Sequence, residues 1–280
     1  MATQPQAKSL AELGLTAKAG REAQITGLSV DSRLVKPGHL FAALPGTRVH
    51  GGAFIQYALR MGAGAVLTDA EGARIARDEL AASDAALVVA EDPRQTLAYA
   101  AALWFGAQPE VVVAVTGTNG KTSVIWALLG YEAANLGTTG VEGAYEAPLN
   151  HTTPEPVTLH RLLAEMAHAG VSHVAMEASS HGLAQRRLDG VALTAAAFTN
   201  FTQDHLDYHA DFDEYFAAKA GLFARVLPEE GTAVINLEDP RGPEMATIAR
   251  ARGQTLLTVG RSDEADLQIL AQRFDATGQQ

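Results

Sequence analysis

The hydrophobic positions of this chain fall into short apolar runs separated by stretches of helical spacing. Between Ile25 and Leu103 the runs lie at Leu40 to Leu44, Ala65 to Leu67 and Ala86 to Val89, the pattern of a small α/β unit. Asp92-Pro93 sets a capping carboxylate before a proline suited to the first helical position, which predicts a helix over Arg94 to Phe105 ending near Gly106. Gln108-Pro109-Glu110 reads as a linker. After it, strand candidates at 111–115, 172–176, 192–198, 232–236 and 255–259 alternate with helical or loop stretches, as expected of a parallel sheet covered by helices. The fold class is therefore α/β, with domains expected at 1–107 and 108–280.

Composition narrows the picture. A chain of 280 residues that is 47% hydrophobic can bury substantial cores in about two domains. No internal repeat or low-complexity tract interrupts it. With 32 acidic against 21 basic residues, a net charge of −11, no broad basic face is available, so neither nucleic acid nor an anionic membrane is an expected partner. Local basic residues can still hold a small anion. The absence of cysteine excludes disulfides, thiolate zinc sites and a cysteine nucleophile, and fits a reducing compartment. Met1 to Leu15 has no basic segment leading into an apolar one, and no apolar run reaches membrane-spanning length, so the cytoplasm is expected.

Candidate chemistry gathers at strand ends. The run Val111 to Thr116 breaks into Gly117-Thr118-Asn119-Gly120-Lys121-Thr122-Ser123. The glycines let backbone N–H groups turn inward around a polyphosphate, Lys121 neutralises phosphate charge, and the hydroxyl of Thr122 or Ser123 is a magnesium ligand at the start of a helix over Thr122 to Tyr131. The spacing is shorter than the usual G-x-x-x-x-G-K-[ST]. A glycine-rich turn between strand and helix needs no ligand, but strand, glycines, lysine, hydroxyls and helical pattern occur together here. Glu177, in Met176-Glu177-Ala178-Ser179-Ser180-His181-Gly182, is predicted at the carboxyl edge of the sheet, where ligands of open α/β sheets bind. It is a candidate magnesium ligand, although alone it reads equally as a surface glutamate. The loop Thr199 to His209 packs two histidines and two aspartates after another strand candidate. Lys219 lies among small and apolar neighbours in a helical stretch over Tyr215 to Phe223. A snorkelling surface lysine is one reading, and a partly buried amine of lowered pKa the other.

These segments together resemble the Mur ligases of peptidoglycan synthesis, over nearly the whole chain. Gly-Thr-Asn-Gly-Lys-Thr resembles the loop shared by Mur ligases and folylpolyglutamate synthetases. Thr152-Thr153-Pro154, Met176 to Leu183 and Asp204-His205-Leu206-Asp207-Tyr208-His209 resemble the MurE branch, which adds the third peptide residue to UDP-N-acetylmuramoyl-L-alanyl-D-glutamate. The resemblance implies a small N-terminal UDP-binding α/β domain followed by a P-loop-type, mostly parallel sheet with helices on both faces. It further implies that Gly117, Thr118, Asn119, Gly120, Lys121, Thr122 and Ser123 bind ATP. Thr122 or Ser123, Glu177, His205 and a Lys219 carboxylated on its amine would hold magnesium. His151, Thr152, Thr153, Ser179, Gln185 and Arg187 match positions that hold the muramoyl dipeptide. Val30-Asp31-Ser32-Arg33 and Pro45 to Gly51 resemble uridine-nucleotide segments, with Val30, Ser32, Thr47, Arg48 and Val49 as contacts.

The implied reaction is ATP-dependent amide formation, with Lys121, Lys219, Glu177 and His205 as its catalytic groups. A substrate carboxylate takes the γ-phosphoryl group and an amine, meso-diaminopimelate in preference to L-lysine, captures the acyl phosphate. A monomer is expected. The resemblance also implies an incomplete central domain, no C-terminal amino-acid-binding domain and no ligation by these residues alone. The helix after the phosphate loop is about two turns shorter than its counterpart. Two alternatives stand beside this one: a folylpolyglutamate synthetase-like ligase and a non-catalytic nucleotide- or UDP-sugar-binding module.

Overall fold

The structure, a computed structural model, describes residues 7–18, 21–117, 130–149, 151–202, 209–271, 274–275 and 278–279. Two compact units divide the chain: Met1–Ala107 with Glu155–Ala164, and Gln108–Pro154 with Glu165–Gln280. The sequence reading assigned no part of 155–164 to the first unit. It clusters there because Val157 packs against that unit's core of Leu10, Leu97 and Trp104.

In the first unit, two short strands, β1 (Lys8–Ser9) and β2 (Gln24–Ile25), pair antiparallel. β3 (Gly27–Ser29), β4 (His39–Ala42), β5 (Ala65–Thr68) and β6 (Ala86–Val89) form a parallel sheet in sequence order. Side chains alternate across it. Leu40, Ala42, Ala65 and Leu67 meet Leu97 and Trp104 on one face, whereas Phe41 and Val66 meet Ile55 and Ala58 on the other. Helices therefore cover both faces: α1 (Ile55–Arg60), α2 (Ala70–Ile75) and α3 (Arg77–Ala81) precede α4 (Pro93–Phe105). Asp92 caps α4 by accepting from the Gln95 N–H at 3.1 Å, Pro93 occupies its first turn, and Gly106 closes it at φ 69°.

The second unit is built on β7 (Val111–Thr116), β8 (Ala133–Gly137), β9 (Gly140–Gly143), β10 (His173–Glu177), β11 (Ala195–Phe198), β12 (Thr232–Asn236), β13 (Thr255–Gly260) and β14 (Leu267–Gln268). Their order across the sheet is β14-β13-β12-β11-β7-β10-β8-β9. Every pairing is parallel except β8 with β9. Val112, Ala114, Val115 and Thr116 are buried, as a central parallel strand covered on both faces requires. The helices are α5 (Pro156–His168), which begins in the first unit's stretch, α6 (Ser180–Ala184), α7 (Phe212–Gly221) and α8 (Gly242–Ala251). A final antiparallel pair joins β15 (Phe274–Asp275) to β16 (Gly278–Gln279).

Three expectations shift. The strand read at 192–198 spans only Ala195–Phe198, because Leu193 turns back onto the Val191 carbonyl. The β8–β9 hairpin was not among the strand candidates. The helical stretch read at 215–223 starts earlier, at Phe212, where Asp211 caps it by accepting from the Glu214 N–H at 2.8 Å, and widens into a π turn over Leu222–Val226.

Candidate functional site

The central strand β7 delivers its last residues between two neighbours. The Ala178 N–H donates to the Val115 carbonyl at 2.9 Å, and the Thr116 hydroxyl donates to the Ala178 carbonyl at 2.9 Å. On the other side the Thr199 N–H reaches the Thr116 carbonyl at 3.0 Å. Gly117 is thus held where the chain, having built β8 and β10 on one side of β7, crosses to β11 on the other. Such a reversal leaves a crevice at the carboxyl ends of the strands. Gly117 has φ 156°, and a Cβ there would stand 1.9 Å from the Thr199 hydroxyl, so only glycine fits.

Glu177 ends β10 and is 2% exposed. Its carboxylate lies against the end of β8: a Cβ on Gly137 would fall 2.4 Å from Oε1. The Thr138 N–H approaches Oε1 at 3.4 Å and the Thr138 hydroxyl donates to Oε2 at 3.3 Å. That hydroxyl also lies 3.1 Å from the Thr152 hydroxyl. Thr153 is buried and bonds through its hydroxyl to the Glu177 carbonyl at 2.8 Å, while accepting from the Ser179 N–H at 3.1 Å. Arg187 donates to the Thr153 carbonyl at 2.6 Å and forks onto Gln185 Oε1 at 2.8 and 3.2 Å. The structure therefore brings Glu177, Thr152, Thr153, Ser179, Gln185 and Arg187 into one hydrogen-bonded array. His151 is exposed beside it.

Lys219 is buried in α7 at 2% exposure. Its Nζ donates to the Gly117 carbonyl at 2.9 Å and lies 4.7 Å above the Tyr215 ring. The snorkelling reading is thereby corrected: the i, i+4 spacing of Tyr215 and Lys219 puts both on the inward face of the helix. His209, also buried, sets its ring 5.3 Å from Tyr215 and 5.7 Å from His181. Thr118, Asn119, Gly120, Lys121, Thr122, Ser123, the helix read over Thr122 to Tyr131 apart from its end, and His205 lie outside the described residues.

Sequence reading missed several supports of this edge. Gly137 ends β8 and Thr138 follows it, and β8 carries no strand signal. Asp239 accepts from the Phe201 N–H at 2.6 Å, and Asn236 donates to the Thr199 carbonyl at 2.7 Å, so the loop after β12 holds the loop after β11. The polar run Asn236-Leu237-Glu238-Asp239 directly after a strand candidate was the available signal.

The first unit has its own cavity, of about 850 Å³, at the carboxyl ends of β3 and β4. Val30, Asp31, Ser32, Arg33, Val49, Phe54 and Tyr57 are among the residues lining it, whereas Thr47 and Arg48 are exposed on the same loop and do not. The side-chain bond from Arg33 holds the Asp31 carboxyl below the usual range, with Arg33 at 2.6 Å and its N–H at 2.9 Å. Arg94 of α4 grips the Pro45 carbonyl, and the Gly51 N–H returns to the Leu44 carbonyl at 2.8 Å. His50 accepts from the Gly52 N–H at 2.9 Å and turns its other nitrogen to Asp69 at 3.1 Å. Burial alone would raise Asp69; the Gly72 N–H and His50 outweigh it and leave that carboxyl below its ordinary value.

Residues 115–280 match the Mur ligase middle domain, and residues 24–105 match the catalytic domain of the Mur ligase family. The chain belongs to the Mur ligase family. Among its Mur ligase relatives, the UDP-N-acetylmuramoyl-L-alanyl-D-glutamate–2,6-diaminopimelate ligase of Brucella melitensis is 50% identical over 249 residues, covering 86% of this chain and 49% of that protein. The enzyme of the same name from Rhizobium meliloti is 48% identical, covering 86% of this chain and 50% of its own length. A solved structure of a ligase of that name is 30% identical with a TM-score of 0.81, over 98% of this chain and 57% of the other. This Mur ligase chain thus spans about half the length of the curated relatives it matches.

Proposed function

We propose that this chain supplies the UDP-substrate and ATP sites of an ATP-dependent amide ligase that adds meso-diaminopimelate to UDP-N-acetylmuramoyl-L-alanyl-D-glutamate. The observation that carries the reading is the buried carboxylate of Glu177, seated on Gly137 at the sheet's carboxyl edge, one strand away from the Gly117 backbone that Lys219 holds. The names of relatives up to 50% identical favour 2,6-diaminopimelate over L-lysine as the acceptor.

The chemistry of Glu177 suits magnesium. That ion takes one or two carboxylates and fills its octahedron with water and phosphate oxygens. Glu177, buried at the sheet's carboxyl edge with its carboxylate in the space left open by Gly137, is a carboxylate of that kind. Glu177 would hold magnesium with Thr122 or Ser123, His205 and a Lys219 carrying a carbamate. When bound, the ion offsets charge on the transferring phosphoryl group. Gly117 to Gly120 would wrap the phosphates while Lys121 neutralises them. Thr152, Thr153, Ser179, Gln185 and Arg187 would orient the muramoyl dipeptide, with the Arg187 guanidinium suited to a carboxylate. Val30, Ser32, Thr47, Arg48 and Val49 would receive the uridine nucleotide in domain 1–107, and the ATP site belongs to domain 108–280. Among the described residues no helix is long and apolar enough to cross a membrane; we place the reaction in the cytoplasm, on a monomer.

Calorimetry tests the two sites separately. UDP-N-acetylmuramoyl-L-alanyl-D-glutamate and a non-hydrolysable ATP analogue with magnesium should each release binding heat. Glu177→Gln should weaken magnesium-dependent nucleotide binding at least tenfold and leave binding of the UDP substrate within about threefold. Absence of heat with both ligands would refute the assignment.

A further inference from the structure

The first unit has another cavity, and it is basic. Lys18, Arg21, Arg74 and Arg77 surround a cleft of about 450 Å³ whose lining, among the described residues, includes no carboxylate. It shares no lining residue with the cavity of Val30, Ser32 and Val49. Val30 and Leu44 of the other cavity follow the carboxyl ends of β3 and β4, whereas the basic cleft runs along α2 and α3, from Ala70 to Ala81, and on to Ser83, Ala85 and Leu87 at β6.

In a chain with 32 acidic and 21 basic residues, four cations facing one space without an acid run against the composition. Local pairing neutralises only part of this charge. Arg74 is forked onto Glu71 at 2.6 and 2.8 Å, outside the lining. Arg21 donates to the Ser83 carbonyl at 2.9 Å, and its nearest carboxylate, the exposed Asp84, is 4.0 Å away. Among the described residues, Lys18 and Arg77 have neither an ion pair nor a hydrogen bond. Like charges held together repel, and an anion between them relieves that cost. The unpaired Lys18 and Arg77, together with the remaining N–H groups of Arg21 and Arg74, surround so small a volume that they call for several negative charges close together. Adjacent phosphates provide this, with oxygens spaced for bidentate arginine contacts, whereas a single carboxylate does not. The walls formed by Ala73, Leu80 and Leu87 leave room for the body of the ligand.

We infer that this cleft is a second phosphate-binding site of the first unit, taking a di- or triphosphate group, either free or carried on a nucleotide. It is independent of the nucleotide sites proposed above, since it uses none of their residues.

The test is hydrogen exchange on the full chain, with inorganic tripolyphosphate and, separately, ADP as probes, joined to calorimetry. Tripolyphosphate should slow exchange in peptides spanning residues 70–87, and the effect should fade with added salt. Lys18→Glu with Arg77→Glu should weaken that binding at least tenfold, whereas Arg250→Glu with Arg252→Glu, the same charge change in the other unit, should leave it within twofold. Lys18 and Arg77 are exposed, so the variants should retain the parent melting profile; Lys18→Gln with Arg77→Gln provides a milder pair showing the same loss. Stronger protection of 70–87 by ADP than by tripolyphosphate identifies a nucleotide as the source, and the reverse identifies the free anion. The inference fails if neither probe protects 70–87, or if both charge-reversal pairs weaken binding equally.

Discussion

A single missing carbon decides where the candidate metal-binding carboxylate sits. The Glu177 carboxylate occupies the space that a side chain at 137 would take, 2.4 Å from where its Cβ would stand. Gly137→Ala should therefore displace the carboxylate, destabilise the chain by about 1–3 kcal/mol and weaken magnesium-dependent nucleotide binding. Glu177→Asp withdraws the carboxylate by one methylene. In a double-mutant cycle read by urea denaturation, Gly137→Ala combined with Glu177→Asp should cost less than the sum of the single changes. Strict additivity would show that the two positions do not compete for that space. Glu177 itself was legible, since the apolar run 172–176 has to end somewhere and the acid follows it. Its neighbours Gly137 and Thr138 were not, because contact across two parallel strands leaves no mark in either local sequence. Lys219 was legible as unusual but ambiguous between surface and interior. The inward turn of α7 resolves it through burial beside Tyr215 and Gly117.

Elements were legible where local and tertiary preferences agree. Helix α4 announces itself with Asp92, Pro93 and Gly106, each with a separate physical reason, and the structure uses all three. Asp92→Ala should cost about 1 kcal/mol by orphaning the Gln95 N–H, seen as a lower urea midpoint with an unchanged denaturant slope. Asp92→Asn or Asp92→Ser, which keep an acceptor there, should recover most of it. Strand β7 was similarly plain, being a continuous β-branched run in a doubly covered position. The β8–β9 hairpin was hidden for the opposite reason. Ala133-Ala134-Asn135-Leu136-Gly137 and Gly140-Val141-Glu142-Gly143 contain little that favours a strand, and β8 exists because β10 offers it a parallel ladder from Ala133 to Leu136. That hidden element is the one that supplies the wall behind Glu177.

At the scale of the whole molecule, acid sensitivity separates into two pH windows. His160 lies in the 155–164 stretch that rejoins the first unit and is 4% exposed. Burial pushes its pKa from an ordinary 6.5 down to about 4. The folded chain therefore binds that proton less readily than the unfolded one, so its stabilisation is complete above 6.5 and drains away as the pH falls towards 4. Crossing the whole window should cost roughly 3 kcal/mol. His39, lowered by burial and then by Lys36, acts in the same direction, so the wild-type slope sums both. The carboxyls behave differently. Asp31, through its Arg33 bonds, and Asp69, through Gly72 and His50 against the opposing effect of burial, are held below their ordinary 3.8, so their stabilisation persists above that value and fades only in stronger acid. Between pH 7 and 4.5 the loss should thus be a histidine effect. Urea denaturation of the wild type and of His160→Leu at both values isolates it: the variant should lose roughly 2–3 kcal/mol less than the wild type on acidification. Parallel losses in the two proteins would mean that the unfolded and folded chains take up the His160 proton alike, and the buried neutral imidazole would no longer explain acid sensitivity in this unit.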